Sequence, residues 1–229
     1  MAVVVVIVAV AVAIVAAAAT RLFAQQRNGR SQKLRLFLFF TMNDILIRQA
    51  RPEDATGMGR VMVDTYLAAH HGQMPEEAWI KRRDEWTYEV SERGWRRSIT
   101  ELATQPEPNE FFYVAEYLPK SEIVGLAHGH RSKHDLLPNA GEVGSLYVGQ
   151  DFQGRGIGRD LVRAVAAQLA AQGCGALIIC AVTASSPARG FYEAIGGRVI
   201  GEADFDEEGW SIPQTVYGWD NIWAVPQTT

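Results

Sequence analysis

The feature that most constrains this chain is a glycine-rich loop between a predicted strand and a predicted helix. The strand ends at Val148, the helix runs from Arg159 to Ala171, and the loop holds four glycines: Gly149, Gly154, Gly156 and Gly158. Glycine lets backbone amides turn toward a ligand, because no Cβ stands in the way. The helix N-terminus adds the positive end of its dipole. The segment therefore predicts a cradle for a phosphate or pyrophosphate group.

Two familiar phosphate loops do not fit this segment. A dinucleotide fingerprint G-x-G-x-x-G that starts at Gly154 needs glycine at position 159, where the chain has Arg159. A P-loop that starts at Gly149 reaches Gly154 correctly but then needs Lys and Ser or Thr, and the chain has Arg155 and Gly156. The loop therefore belongs to neither class.

From Met42 onward, short apolar segments alternate with amphipathic ones. The patterns predict strands over 45–48, 111–116, 123–130, 142–148, 176–182, 198–202 and 214–219, and helices over 55–69, 75–102 with a break near Gly94, 159–171 and 187–195. The continuously apolar run Ala176–Val182 indicates a central strand buried on both faces. This order predicts an α/β or α+β fold with helices on both faces of the sheet.

One motif does fit the loop, namely Q-x-x-G-x-G at Gln153, Gly156 and Gly158. It resembles the pyrophosphate-binding motif of the GNAT superfamily of N-acetyltransferases. Further segments resemble that family in the expected order, from Ile45 to about Ile222: Ile47–Asp54, Leu146–Val148, Ser186–Gly196 and Val216–Ile222. The resemblance implies a mixed, mostly antiparallel central sheet, whose strands splay after Val148 to form a cofactor cleft. It also implies acetyl-coenzyme A as co-substrate.

Carried over position by position, the resemblance implies a set of cofactor-binding residues: Leu146, Tyr147, Val148, Gln153, Gly154, Arg155, Gly156, Gly158, Arg159 and Ser186. Two positions depart from the family pattern. Ser186 stands where the family often has Asn, so a shorter hydroxyl replaces a side-chain amide that commonly contacts the cofactor. Gly197 stands where Phe is usual, which affects only packing.

The resemblance also implies catalytic residues. An amine with a pKa near 10.4 is almost wholly protonated at pH 7, so its proton needs an acceptor. Glu142 is the candidate base, directly or through water, and the alternative is a solvated strand residue. Strict alternation would place Glu142 on the same side as Leu146 and Val148, unless a bulge at Gly141 or Gly144 breaks the pattern. Tyr192 is the candidate acid for the departing thiolate, and backbone amides at Leu146–Val148 would hold the oxyanion.

Histidines and cysteines do not indicate a metal site. His128 and His130 share a face of one predicted strand and His134 follows, but a further ligand would have to come from elsewhere. Cys174 and Cys180 cannot build a disulfide framework, and their number suits a reducing compartment. No cysteine lies where the family would place a nucleophile, so the resemblance implies direct transfer to an amine in a ternary complex. The alternative is a non-catalytic module that binds or senses acyl-coenzyme A.

Charge separates the first 41 residues from the rest. Residues 1–41 carry five cations and no carboxylate, whereas residues 42–229 carry 17 basic and 26 acidic residues, a net charge of −9. Such a domain repels phosphate backbones, so we expect no nucleic-acid partner. A small-molecule or peptide amine suits it better, and a homodimer is left open.

The run Ala2–Ala19 contains only Ala, Val and Ile, which is near the lower limit for crossing a bilayer. Two interpretations stay open. The run is a membrane anchor whose flanking cations keep the rest of the chain in the cytoplasm, or it is a product of an over-extended start ahead of Met42. Both predict an N-terminal extension over 1–41 and a cytoplasmic N-acetyltransferase domain over 42–229.

Overall fold

The computed structural model describes residues 44–105, 108–207 and 209–225, all of which belong to one compact unit. The predicted N-terminal extension and its apolar run lie outside the described residues. Within them, no helix combines the length and the apolar character that a bilayer crossing requires.

Seven strands and five helices form the described part of the chain. The strands are β1 (Ile45–Gln49), β2 (Glu110–Tyr117), β3 (Glu122–Arg131), β4 (Ala140–Val148), β5 (Ala176–Val182), β6 (Arg198–Glu207) and β7 (Trp210–Trp219). The helices are α1 (Ala55–His70), α2 (Glu76–Glu85), α3 (Tyr88–Ala103), α4 (Ile157–Ala171) and α5 (Ser186–Ala194). Each predicted strand is present, and β6 and β7 are longer than predicted because they form one hairpin of two ten-residue strands.

The strands form one sheet in the order β1-β2-β3-β4-β5-β7-β6. Among the described strands, β4 and β5 are the one parallel pair, and every other neighbouring pair is antiparallel. The α4 helix is the crossover between β4 and β5, as a parallel connection requires. The prediction of a mixed, mostly antiparallel sheet is confirmed.

The β4 and β5 strands pair only at their beginnings, where 140–143 lie beside 176–179. The residues Gly144–Val148 have no strand partner on the β5 side within the described part of the chain. The prediction that the strands splay after Val148 is therefore wrong in its position, because the separation begins after Val143. The cause is a β-bulge at Gly144, since a bulge bends its strand and increases the local twist.

Helices cover both faces of the sheet, as predicted. On one face α4 buries Leu161, Val165 and Leu169 completely, among apolar residues of β2 to β5. On the other face α1 and α3 pack over β2 and β3, with Met58 and Leu126 fully buried between them. Fully burying a side chain of this size stabilises the fold by about 1.5–3 kcal/mol. The sheet is therefore fixed from both sides, and the gap between β4 and β5 lies within a rigid frame.

The region 75–102 forms two helices, but the predicted break near Gly94 is wrong. The break lies at Trp86 and Thr87, and Gly94 lies inside α3. Thr87 caps α3, because its Oγ1 accepts a hydrogen bond from the backbone amide of Val90 at 3.4 Å. An N-cap side chain starts a new helix, whereas glycine in a helix interior costs only about 1 kcal/mol.

An ion pair joins β1 to the start of α1. The Arg48 guanidinium donates to both carboxylate oxygens of Asp54, at 2.6 and 2.8 Å, and the Arg51 amide donates to Asp54 at 2.7 Å. Arg48 also donates to Glu116 on β2 at 2.8 Å. Burial opposes ionisation of Asp54, but the hydrogen bonds from Arg48 and Arg51 hold the pKa of its carboxyl below its ordinary value.

Candidate active site

The glycine-rich loop joins the free end of β4 to the N-terminus of α4. After Val148 the chain makes a 3-10 turn over Gln150–Phe152 and then passes two glycines in the left-handed region. Gly154 has a φ of 71°, and Gly156, the N-cap of α4, has a φ of 82°. Most residues with a Cβ rarely adopt these conformations, so the loop path favours glycine at both positions.

Six successive backbone amides donate no hydrogen bond within the described ranges. They run from Gly154 in the loop to Arg159 in the first turn of α4. The Nε of Arg159 is also buried without a partner there. Partnerless N–H groups at a helix N-terminus favour an anion, because the ligand supplies the missing acceptors and complements the helix dipole. The observation fits a phosphate or pyrophosphate group.

The remaining loop side chains brace the loop from within. The Gln153 Nε2 donates to the carbonyl oxygen of Val148 at 2.9 Å. Arg155 donates to the carbonyl of Asp151 at 2.7 Å, and its guanidinium lies 5.1 Å from the centroid of the Phe152 ring. Gln153 therefore ties the loop to the end of β4, and Arg155 holds the loop residues against one another.

The close packing of two helices explains why position 158 is a glycine. A Cβ at this position would lie 3.1 Å from the Phe191 ring, which is tighter than almost all real contacts. Because Phe191 belongs to α5, this glycine lets the start of α4 approach α5 closely. The amide of Gly158 remains one of the six free N–H groups.

The strand β4 contains the bulge that sets the direction of its side chains. Val143 pairs with Gly129 of β3, whereas Ser145 pairs with the adjacent His128, so Gly144 has no residue opposite. A Cβ on Gly144 would lie 2.7 Å from the His130 ring, so the position also requires a residue without a side chain. A bulge at Gly144 was one of the two that the sequence allowed.

The bulge moves Glu142 to the face opposite α4. Glu142 and Tyr147 pair with residues of β3 that share a face, whereas Leu146 and Val148 pack into the core beneath α4. The alternation that would place Glu142 beside Leu146 and Val148 is therefore wrong. Its Oε2 accepts a hydrogen bond from Ser132 Oγ at 2.9 Å, and the side chain is half-buried.

Tyr192 is buried in α5, with its ring between two other aromatic rings. The centroids of Phe191 and Tyr217 lie 5.3 and 5.7 Å from that of Tyr192. Burial, followed by the nearby Cys180 thiol, raises the pKa of Tyr192 well above its ordinary value. Its hydroxyl has no hydrogen-bond partner among the residues described. Tyr192 is therefore a phenol that keeps its proton at neutral pH.

Cys180 connects the two candidate catalytic residues. Burial, followed by the charge of Glu142, raises the pKa of the Cys180 thiol to about 12. A ligand atom of Glu142 lies within 4.8 Å of the Cys180 sulfur, and the same thiol is close enough to raise the pKa of Tyr192. The three residues therefore lie in one region beside the gap between β4 and β5. Cys180 is the first residue of β5 beyond its pairing with β4.

Ser186 is exposed at the start of α5, and its side chain makes no hydrogen bond to any residue that the structure describes.

The departure at Gly197 has a clear reason. A Cβ there would lie 2.8 Å from the Trp219 ring, and the Trp219 Nε1 donates to the Ile195 carbonyl at 3.1 Å. Trp219 therefore fills the space that a larger residue at 197 would need.

Sequence reasoning missed a polar bridge on the face of the sheet that carries Glu142. Arg82 of α2 donates to Glu207 at the end of β6, with its Nε 2.6 Å from Oε1, and Glu207 is 3% exposed. Tyr66 of α1 lies close to this bridge. Burial raises the pKa of Tyr66, the charge of Glu207 raises it further, and the charge of Arg82 lowers it. The bridge joins residues 125 positions apart, so no local pattern could have revealed it.

A family model for the acetyltransferase (GNAT) family matches residues 75–197, more than half of the chain, and this range includes the whole loop, Glu142 and Tyr192. The chain belongs to the GNAT family. It is therefore an acyltransferase, as the sequence predicted, and the acetyltransferase fold explains the open sheet and the glycine-rich loop.

Relatives agree with this assignment. The chain is 24% identical over 184 residues to the uncharacterized N-acetyltransferase YuaI of Bacillus subtilis (strain 168), covering 79% of this chain and 96% of that protein. The ribosomal-protein-S5-alanine acetyltransferase of Vibrio fischeri has a similar fold, with a TM-score of 0.58, 17% identity and coverage of 80% and 96% of the two chains. The PaiA N-acetyltransferase of Thermoplasma acidophilum, solved in complex with coenzyme A, also has a similar fold. Its TM-score is 0.55 and its sequence identity 19%, and the match covers 76% of this chain and 97% of that chain.

Proposed function

We propose that this acetyltransferase moves the acetyl group of acetyl-coenzyme A to a primary amine by direct attack in a ternary complex. Acetyl-coenzyme A is the co-substrate predicted from the sequence, and a similar fold has been solved with coenzyme A. The observation that carries the proposal is the row of six unused amides from Gly154 to Arg159, beside the gap where β4 and β5 separate.

The loop binds the pyrophosphate of the co-substrate. The amides of Gly154, Arg155, Gly156, Gly158 and Arg159 supply the donors, and the dipole of α4 adds favourable charge. Gln153 positions the loop through its hydrogen bond to Val148. Ser186, at the start of α5, contributes a hydroxyl to the same side of the cleft.

The unpaired edge of β4 holds the reacting carbonyl. Successive N–H groups of a strand point to opposite edges, and the Gly149 amide donates to Val124 of β3, so the amides of Leu146 and Val148 face the edge without a β5 partner in the described structure. These two amides are free to stabilise the negative charge that develops on the thioester oxygen. Holding two reactants in one cleft also removes much of the entropic barrier to their reaction.

Glu142 and Tyr192 carry out the two proton transfers of the reaction, one from the amine and one to the thiolate. Glu142, directly or through water, accepts the proton of the attacking amine as the new C–N bond forms. The C–S bond breaks, and Tyr192 donates its phenolic proton to the departing thiolate. Because the pKa of Tyr192 is raised, the phenol is still protonated at neutral pH when the thiolate leaves. Cys180 stays a thiol for the same reason, which supports direct transfer over an acetyl-cysteine intermediate.

The acceptor site lies on the face that carries Glu142, under α1, α2 and the segment 132–139. The bridge between Arg82 and Glu207 limits this side of the cleft. The net charge of −9 over residues 42–229 favours a basic acceptor, such as a polyamine, an aminoglycoside or a lysine side chain.

We also propose that residues 42–229 form the catalytic domain and that the domain works in the cytoplasm. Both cysteines, Cys174 and Cys180, are free thiols, which suits a reducing compartment. Expression from Met42 tests the boundary, and the expected product is folded and has the activity of the full chain. An inactive or insoluble product would mean that the first 41 residues are needed.

The proposed function is tested by measuring thiol release from acetyl-coenzyme A with a panel of amines. The panel contains polyamines, aminoglycosides and lysine peptides, and the acetylated product is identified by mass spectrometry. The expected result is amine-dependent thiol release with a stoichiometric N-acetyl product. Tight binding of acetyl-coenzyme A without turnover on any amine would instead indicate an acyl-coenzyme A sensor.

A further inference from the structure

Three potential metal ligands meet at the entrance of the gap between β4 and β5. His134 lies in the segment between β3 and β4, Glu142 lies on β4, and Cys180 lies on β5. One ligand atom from each residue lies within 4.8 Å of the other two, and all three side chains are half-buried. The sequence predicted no metal site, because ligands beyond the histidines would have to come from elsewhere in the chain, and Cys180 lies 46 positions from His134.

The spacing and chemistry of this cluster suit zinc. The Cys180 Sγ and His134 Nε2 are 3.5 Å apart. Bond lengths of about 2.3 Å for Zn–S and 2.0–2.1 Å for Zn–N place these two atoms about 3.6 Å apart around a tetrahedral ion. A thiolate, a carboxylate and a neutral imidazole also balance the charge of a divalent cation. The same distance suits a hydrogen bond between sulfur and nitrogen, so the ion itself must be measured.

Ser132 already holds two of these residues in place. Its hydroxyl donates to Glu142 Oε2 at 2.9 Å and accepts the backbone amide of His134 at 3.1 Å. Such outer contacts orient metal ligands and commonly change metal affinity by about 10- to 100-fold. A ligand set supported in this way needs little rearrangement to receive an ion.

We propose that His134, Glu142 and Cys180 bind a divalent cation of the zinc class, with a fourth coordination position open. Binding replaces the S–H bond of Cys180 with a sulfur–metal bond and releases the proton to solvent, so affinity rises with pH. Three protein ligands and an open position are typical of zinc sites that exchange their fourth ligand.

Metal binding is tested on the full chain, stripped of metal with a chelator and kept in a phosphine reductant. Cobalt(II) is titrated in, and zinc is then added as a competitor. The expected result is one cobalt per chain, a thiolate-to-cobalt charge-transfer band and displacement by zinc. Cys180→Ser should abolish the band. Cys174→Ser, which changes a buried cysteine outside the cluster, should retain it.

Two further variants separate a metal site from a hydrogen bond. His134→Ala should weaken cobalt binding by ~100-fold or more, and Ser132→Ala by about 10- to 100-fold. Circular dichroism and thermal melting of each variant show whether the fold is kept. Absence of a thiolate band in the wild-type chain, or a band that survives in Cys180→Ser, would overturn the proposal. Cobalt bound without the band would mean that Cys180 is not a ligand and would also overturn it.

The site has a consequence for catalysis, and this part rests on the proposed function. A cation on the Glu142 carboxylate prevents it from accepting a proton, so zinc should inhibit acetyl transfer reversibly and a chelator should restore it. In Cys180→Ser the same zinc concentration should no longer inhibit. The cobalt spectrum does not depend on turnover, so an inactive protein that binds cobalt contradicts the proposed function but not the metal site. Zinc binding without inhibition would contradict only the proposed role of Glu142 as the base.

Discussion

The side-chain amide of Gln153 lies 2.9 Å from the carbonyl oxygen of Val148 and donates a hydrogen bond to it. The glutamine of the Q-x-x-G-x-G motif therefore makes its hydrogen bond to the protein itself and ties the loop to the end of β4. In the proposed cradle, the ligand is bound by the backbone amides of the following six residues. Substitutions that change the backbone path of the loop should consequently have larger effects than those that change its side chains.

Gly156→Asp should abolish binding of acetyl-coenzyme A, because it places a carboxylate against the pyrophosphate site. Gly156→Asn is the matched control. Both residues have similar size and both tolerate the left-handed conformation that the φ of 82° requires. Isothermal titration should show measurable binding for the Asn variant and none for the Asp variant. Equal affinity in the two variants would mean that no anion binds at this loop.

Glu142→Gln should lower kcat/KM by about 10²- to 10⁴-fold at pH 7, the range expected for loss of a general base. The amide keeps an oxygen that accepts the hydrogen bond from Ser132. As pH rises, more of the amine substrate is already deprotonated, so the base is needed less. The ratio of wild-type to variant activity should therefore decrease between pH 7 and pH 10. A ratio that is constant across this range would contradict the role of Glu142.

Tyr192→Phe should lower kcat by about 10²- to 10⁴-fold while KM for acetyl-coenzyme A stays nearly unchanged, because only a proton donor is removed. Tyr217→Phe controls for packing, since its ring lies 5.7 Å from that of Tyr192 and its hydroxyl donates to Glu193 instead. Steady-state kinetics of both variants decides the point. Similar losses in both would show that the aromatic packing, rather than the Tyr192 proton, limits the reaction.

Asp54→Asn should reduce the free energy of unfolding at pH 7 by about 1–3 kcal/mol, because charged hydrogen bonds to Arg48 are lost. The folded pKa of Asp54 is lowered, so its contribution is complete above the ordinary pKa of 3.8 and disappears as pH falls through the folded value. The difference between wild type and variant should therefore narrow below pH 4. Urea unfolding from pH 3 to pH 7 measures this, and Asp84→Asn, in an exposed pair with Arg83, should change nothing measurable.

Local sequence patterns were sufficient for most of the fold. The apolar run Ala176–Val182 predicted the bounds of β5 without error, and the glycine-rich loop predicted the free amides at the start of α4. These elements are set by neighbouring residues, through burial and backbone conformation. The sequence allowed a bulge at Gly141 or at Gly144, because a bulge depends on the partner strand as much as on the glycine itself.

Local sequence patterns do not predict contacts across the sheet. The ligand cluster of His134, Glu142 and Cys180 depends on which strand lies beside β4, and the bridge from Arg82 to Glu207 depends on where a surface helix docks. The helix break lies at Trp86 and Thr87 rather than at Gly94 for a different reason. A glycine inside a helix is tolerated, whereas the N-cap Thr87 determines where α3 begins.

The short pairing of β4 with β5 means that four residue pairs join a four-stranded and a three-stranded half of the sheet. The apolar core under α4 still joins the two halves, but few backbone hydrogen bonds cross between them, so we expect amide hydrogen exchange beside the gap to differ between the two edges. A bound co-substrate that contacts both edges should slow exchange at both. The molecule that is consumed in each turnover would then also be a structural component of the folded enzyme.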